Sequence, residues 1–268
     1  MVRGETVSYE HASGPVNVDL TRGIATGEGR DTLVDFMEII GSEYGDTLRG
    51  GSEVQDGGDF IDGRGGHDVL YGAQLTRNNL DMLVGGRGND RIHGLRGDDY
   101  LFGGPGNDSL YGGRSEDGLW GGPGDDHVDG GRNGSGIHDD CVQHSEFFPL
   151  YEGSPAGITA SLTAGTARGE GTDSLVRVEC LGGSEHDDLL SGSDRTNLLE
   201  GNGGNDVLKA WAGDDYLYDG PGVDSLLGGM GADSLVGEDS SGGDHFDGSR
   251  GRDQCHADAD DSVMNCER

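Results

Sequence analysis

From Leu83 to Asp129 an aspartate returns every nine residues: Asp90, Asp99, Asp108, Asp117 and Asp126. Two positions after each stands an apolar side chain, in turn Ile92, Leu101, Leu110, Leu119 and Val128. Before each runs a glycine-rich hexad, such as GGRGND at 85–90 or GGPGDD at 121–126. The unit reads G-G-x-G-x-D-x-U-x, where U is a large apolar residue, and it repeats without a break. Each unit is therefore a turn followed by a short strand. The glycines permit positive φ and close approach of neighbouring backbone. The D-x-U-x part alternates with period two, so U points inward while its neighbours point outward.

This pattern resembles the RTX, or haemolysin-type, calcium-binding repeat. The resemblance implies an all-β fold, a right-handed parallel β-roll in which two nonapeptides make one coil. Turns 18 residues apart then stack on one side. It also implies a cofactor, Ca²⁺, shared between the aspartates of stacked turns and the turn carbonyls. One buried apolar residue per nine is a thin core for so much glycine-rich backbone, and hard oxygen ligands at the corners suit Ca²⁺ as the missing cohesion.

The composition agrees. Of 268 residues, 55 are glycine, and 51 acidic residues face 18 Lys and Arg, a formal net charge of −33. Such acidity argues against nucleic acid and anionic membrane surfaces as partners. Without calcium it favours an expanded chain. The first ten residues, MVRGETVSYE, lack the apolar run of a signal peptide, and no stretch is long and apolar enough for a transmembrane span.

Along the chain, Val16, Val18 and Leu20 alternate like a strand with one buried face, within a lead-in segment 5–50 that starts the roll as broader coils. The repeats, 46–131, begin irregularly. Asp46, Asp59, Asp68, Asp81 and Asp90 are spaced 13, 9, 13 and 9, each 13 being a unit plus an insertion that bulges from a turn. A second copy follows. Residues 160–188 align without a gap onto 18–46 at an offset of 142, matching Leu20, Gly27, Asp31, Gly41, Ser42 and Asp46 to Leu162, Gly169, Asp173, Gly183, Ser184 and Asp188. The expected organisation is two tandem copies: 1–137, and 138–268 with lead-in 140–187, repeats 188–256 and a tail 257–268. The boundary falls near Ile137.

The duplication suggests how the four cysteines pair. Cys141 matches Thr6 and Cys180 matches Glu38, so both cysteines of that pair are new to the second copy. Cys255 occupies a U position and Cys266 lies in the tail. The reading is Cys141–Cys180 and Cys255–Cys266, with four free thiols as the alternative. Disulfides place the chain in an oxidising, extracellular compartment of bacterial type.

The resemblance assigns ion cages to aspartates 18 apart: Asp90/Asp108, Asp99/Asp117, Asp108/Asp126, Asp206/Asp224 and Asp215/Asp233. Allowing for insertions adds Asp68/Asp90, Asp81/Asp99, Asp224/Asp244 and Asp233/Asp253, with Asp188 opening the second set. Turn glycines Gly86, Gly88, Gly104, Gly106, Gly122 and Gly124 complete the first array's candidate metal residues, for roughly six to ten ions in all. Asn197 stands where an aspartate is expected, so its site should be weak or empty. His138, Asp139, Asp140, Cys141 and His144 offer a zinc-type alternative. No catalytic triad, HExxH or P-loop is present. Sorting alternate repeats by sheet puts Phe60, Met82, Val84, Tyr100, Phe102 and Trp120 on one outer face, a candidate contact surface for a protein or glycan partner. The function expected is a non-enzymatic, calcium-dependent structural module of a secreted protein. An adhesin module, or an accessory module of a larger hydrolase, is the alternative.

Overall fold

A computed structural model describes residues 2–3, 6–51, 58–74, 80–132, 154–237 and 243–267. Among them every regular element is a strand. The chain forms two compact units, Met1–Val142 and Gln143–Arg268. That division, like Ile137, lies outside the described residues.

In the first unit successive strands alternate between two parallel sheets. One stacks Asn17–Asp19, Thr47–Arg49, Val69–Tyr71, Arg91–His93, Ser109–Arg114 and His127–Arg132. The other stacks Thr6–Ser8, Glu38–Ile40, Phe60–Asp62, Met82–Val84, Tyr100–Phe102 and Gly118–Trp120. Partners are 18 residues apart in the regular array and 22 apart where an insertion intervenes, as in Thr47↔Val69 and Phe60↔Met82. The inserted residues 52–57 and 75–79 lie outside the described residues; the ladder on either side keeps its register.

The period-two pattern fixes the core. Most three-residue strands of the repeats bury only their middle residue, so U residues stack in two columns. One holds Leu48, Leu70, Ile92, Leu110 and Val128; the other holds Ile39, Ile61, Leu83, Leu101 and Leu119, all buried. The second unit repeats this with Leu190, Leu208, Leu226 and Phe246 against Leu181, Leu199, Leu217 and Leu235. Here the ladder spacing widens to 20 at Ser225↔His245 and Ser234↔Gln254, again without loss of register.

The lead-in differs from a plain broad coil. Asn17–Asp19, Ile24–Thr26 and Arg30–Val34 form an antiparallel meander. Its first strand also starts the parallel sheet on Thr47–Arg49. Gly23, at φ +64°, makes the tight turn, and its carbonyl accepts the Leu33 N–H at 2.8 Å. The second unit builds the same meander from Thr159–Ser161, Thr166–Arg168 and Thr172–Val176. Each strand starts 142 residues after its counterpart, and Gly165 stands at φ +66°.

Cys255 and Cys266 form a disulfide with Cα atoms 5.8 Å apart. Cys255 follows Leu235 in the core column, so the bridge ties the tail to the last coil. Cys180 is disulfide-bonded. Cys141 lies outside the described residues, as do His138, Asp139, Asp140 and His144 of the zinc-type cluster.

Candidate metal centre

Each repeat aspartate sits at the corner between a turn and its strand, and the corners of successive coils are linked. The backbone N–H of Asp90 donates to Asp108 Oδ1 at 2.7 Å, and that of Asp108 donates to Asp126 Oδ1 at 2.7 Å. The same bond joins Asp68 to Asp90, Asp81 to Asp99 and Asp99 to Asp117, at 2.8–3.0 Å. In the second unit it joins Asp188 to Asp206, Asp206 to Asp224, Asp215 to Asp233, Asp224 to Asp244 and Asp233 to Asp253, at 2.6–3.1 Å. All the aspartate pairs named from spacing are thus brought together.

One oxygen of each carboxylate is spent on this ladder. The other is not. The Oδ2 atoms of Asp68, Asp90, Asp99, Asp108, Asp117, Asp206, Asp215, Asp233 and Asp253 are buried with no hydrogen-bond partner. An orphaned, buried carboxylate oxygen is costly unless a cation answers it. Among the described residues, Arg22, Arg64 and Arg195 pair elsewhere, with Asp19, Glu10, Glu43 and Glu179.

The electrostatic consequence is a set of carboxyls pushed far above their ordinary value of 3.8. Asp99 rises to about 9, first through burial and then through the charges of Asp81, Asp117 and Asp98, against the lowering effect of the Asp81 N–H. Burial likewise lifts Asp68, Asp117 and Asp206 to about 8, and Asp108 and Asp215 to about 7. Bare, these corners hold on to protons. A doubly charged ion reverses that preference.

The turns are shaped for the same purpose. A Cβ on Gly106 would overlap the Gly88 carbonyl oxygen, and one on Gly124 would overlap that of Gly106. Backbone therefore touches backbone from coil to coil, with carbonyl oxygens close to the corners. Gly106→Ala is expected to cost more than the ~1–2 kcal/mol of left-handed strain alone, because the obstacle is main chain. A chemical-denaturation midpoint in saturating calcium, compared with wild type, checks this. Five hexads place a non-glycine second residue at positive φ: Arg64 (73°), Leu95 (80°), Asn202 (66°), Trp211 (82°) and Ser249 (68°). Asparagine tolerates this conformation, but Arg64, Leu95, Trp211 and Ser249 each forgo about 1–2 kcal/mol in it, so something at the corner favours this turn over a relaxed one.

Carboxylate and carbonyl oxygens, with neither nitrogen nor sulfur among the donors, form a hard ligand set of the kind Ca²⁺ takes. Stacked coils with such corners define a class, the calcium-binding parallel β-solenoid. The model of the RTX calcium-binding nonapeptide repeat (4 copies) matches residues 40–74, 79–110, 102–134, 182–217, 200–235 and 212–242, more than half of the chain. The chain belongs to this family. No curated protein matches it.

Sequence reasoning missed three features. Asp219 replaces the first glycine of the hexad 219–224, and it is buried with Asp224 and Asp244, one oxygen from each lying within 4.8 Å of the others. The substitution of that glycine was the available signal. On the sheet opposite Phe60–Trp120, Arg49 lies over Tyr71 at 4.0 Å. Tyr71, His93 and Tyr111 then stack at 5.0 and 4.7 Å, a column set by the ladder spacing. The third feature is a set of turns hydrogen-bonded onto their own corner residue, as Ser42 is to Asp46, Ser184 to Asp188 and Ser193 to Asn197. The six residues of the candidate contact face do share one sheet, in the columns Phe60–Met82–Tyr100 and Val84–Phe102–Trp120. Phe102 and Trp120 stack on each other at 4.4 Å, which takes up ring face that a sugar would use.

Proposed function

We propose that this chain is a calcium-dependent folding module of a secreted protein. At low free calcium the acidic chain is expanded; near millimolar calcium, ions join successive coils and the solenoid forms. The buried, partnerless Oδ2 atoms at stacked corners carry this reading. The ligands are Asp68, Asp90, Asp99, Asp108, Asp117, Asp126, Asp206, Asp215, Asp224, Asp233 and Asp244, with turn carbonyls. They hold roughly six to ten ions, at affinities of about 10⁻⁴–10⁻³ M as suits extracellular modules. The role is structural rather than catalytic. Circular dichroism through a calcium titration tests it: a coil-to-β transition is expected, and a full β spectrum in excess chelator, unchanged by calcium, would overturn it.

An extracellular location fits the Cys255–Cys266 disulfide. We read Cys141 as the partner of Cys180. Their counterparts Thr6 and Glu38 face each other in register, and the Thr6 hydroxyl donates to the Glu38 carboxylate. A non-reducing peptide map should return a linked fragment containing both cysteines; two separate alkylated peptides would reject the pairing.

A further inference from the structure

We propose that the corner turns are of two kinds and that only one takes calcium: the turns at Asp46, Asp59, Asp81, Asp188 and Asn197 are closed by their own second residue and hold no ion. The inference rests on the calcium reading above and says which rungs it applies to.

In the closed turns the acceptor is already used. The Ser42 N–H donates to Asp46 Oδ2 at 2.6 Å, and the Ser42 hydroxyl reaches both carboxylate oxygens at 2.9 and 3.0 Å. Val16 N–H takes Oδ1 as well, at 2.8 Å. The second unit repeats the arrangement 142 residues on. Ser184 N–H donates to Asp188 Oδ2 at 2.6 Å, its hydroxyl to Oδ1 at 3.0 Å, and Ile158 N–H to Oδ1 at 2.5 Å. Ser193 closes on Asn197 Oδ1 in the same way, at 2.6 Å from its N–H and 3.1 Å from its hydroxyl. The Asn197 amide donates to the Glu179 and Thr196 carbonyls. At the two turns that carry insertions, Gly51 N–H and Ala73 N–H donate to Asp59 and Asp81 Oδ2, each at 2.7 Å.

The open turns differ by one peptide. Their second residue has positive φ, and its N–H points to the next coil instead: Gly86 to Gly103 O at 2.9 Å, Leu95 to Gly112 O at 2.9 Å, Gly104 to Gly121 O at 3.0 Å. Among the described residues the correlation has no exception in either direction. Ser42, Gly51, Ala73, Ser184 and Ser193 have no positive φ, and the corners at Asp68, Asp90, Asp99, Asp108, Asp117, Asp206, Asp215, Asp233 and Asp253, whose Oδ2 atoms are partnerless, each follow a left-handed second residue. The physical ground is direct. An N–H aimed at the carboxylate takes up a lone pair of the oxygen that would face the ion and presents a positive dipole end where a cation would sit. Asn197 then needs no special excuse: a neutral amide serves a turn that has no ion to bind. Each module thus starts on closed rungs, Asp46, Asp59 and Asp81 in the first and Asp188 and Asn197 in the second; its calcium ladder begins one coil in, except in the Asp59–Asp81–Asp99 column, where it begins two coils in.

Native mass spectrometry of the whole chain in calcium tests this. Asn197→Asp restores the motif's carboxylate, yet is expected to add no ion. Asp46→Asn, in the other module, is expected to lose none. Asp206→Asn, at an open corner, should lose at least one. An ion gained in Asn197→Asp, or lost in Asp46→Asn, overturns the division into two kinds, and either variant suffices should the other not fold. If wild type binds calcium but Asp206→Asn loses nothing, it is the assignment of ions to the open corners that fails.

Discussion

Acidifying the calcium-free chain is expected to build structure rather than destroy it. In excess chelator, the β signal should grow as pH falls from about 9 towards 4. The sign follows from the corner carboxyls. Their folded values, about 9 for Asp99, about 8 for Asp68, Asp117 and Asp206, and about 7 for Asp108 and Asp215, all lie above the ordinary 3.8, with burial as the first cause. Between these limits the folded chain binds more protons than the unfolded one, so its stability falls as pH rises. The stabilisation is complete below 3.8 and is lost as each folded value is passed. The net charge of −33 at neutral pH acts in the same direction, because protonation relieves self-repulsion. Calcium inverts the dependence, since an ion binds the ionised carboxylate and protons then compete with it. Circular dichroism across this range, with chelator and with calcium, is the check. A chelated chain that loses β structure on acidification would contradict the geometry.

The second large effect is at Asp108, which stands in the middle of the first ladder. Its Oδ1 accepts the Asp90 N–H, and its own N–H reaches Asp126. Two substitutions separate its roles. Asp108→Asn keeps the acceptor and removes the charge. Asp108→Ala also strands the Asp90 N–H, which typically costs a further ~1–3 kcal/mol. Both variants are expected to lose up to two ions, those shared with Asp90 and with Asp126, and to need several-fold more calcium to fold. The alanine variant should also be less stable than the asparagine variant in saturating calcium. Calcium-titration midpoints and denaturation curves read the two effects apart. Equal midpoints for wild type and Asp108→Asn would remove the ion from that corner.

Much of this was legible in the sequence, because a strict period leaves little choice. The nine-residue spacing fixed which side chains become core, and the U residues from Leu48 to Val128 are all buried. The 18-residue spacing fixed which aspartates meet. The irregular spacings were legible as insertions because the aspartate-to-U interval survives them. What the period could not supply is what departs from it. The antiparallel meander of residues 17–34 depends on one left-handed glycine, Gly23, outside the repeat. The closed turns depend on the direction of a single peptide. Serine in second position is not a sufficient sign: Ser42 and Ser184 close their turns, whereas Ser249 adopts φ +68° beneath an open Asp253. Trp211 teaches the same lesson. It occupies a position that the pattern gives to glycine, keeps the left-handed conformation there, and donates its indole N–H to Ser191 Oγ at 2.8 Å. Residue identity proposed the turn; the neighbouring coil decided its conformation.

The central claim is that cations at the aspartate corners bind coil to coil. Anomalous diffraction from crystals grown in calcium addresses it without any substitution. The account predicts a row of calcium peaks along each ladder, beside the Oδ2 atoms of Asp90, Asp99, Asp108 and Asp117 and of Asp206, Asp215 and Asp233. An ordered solenoid with no anomalous signal at those carboxylates would contradict it.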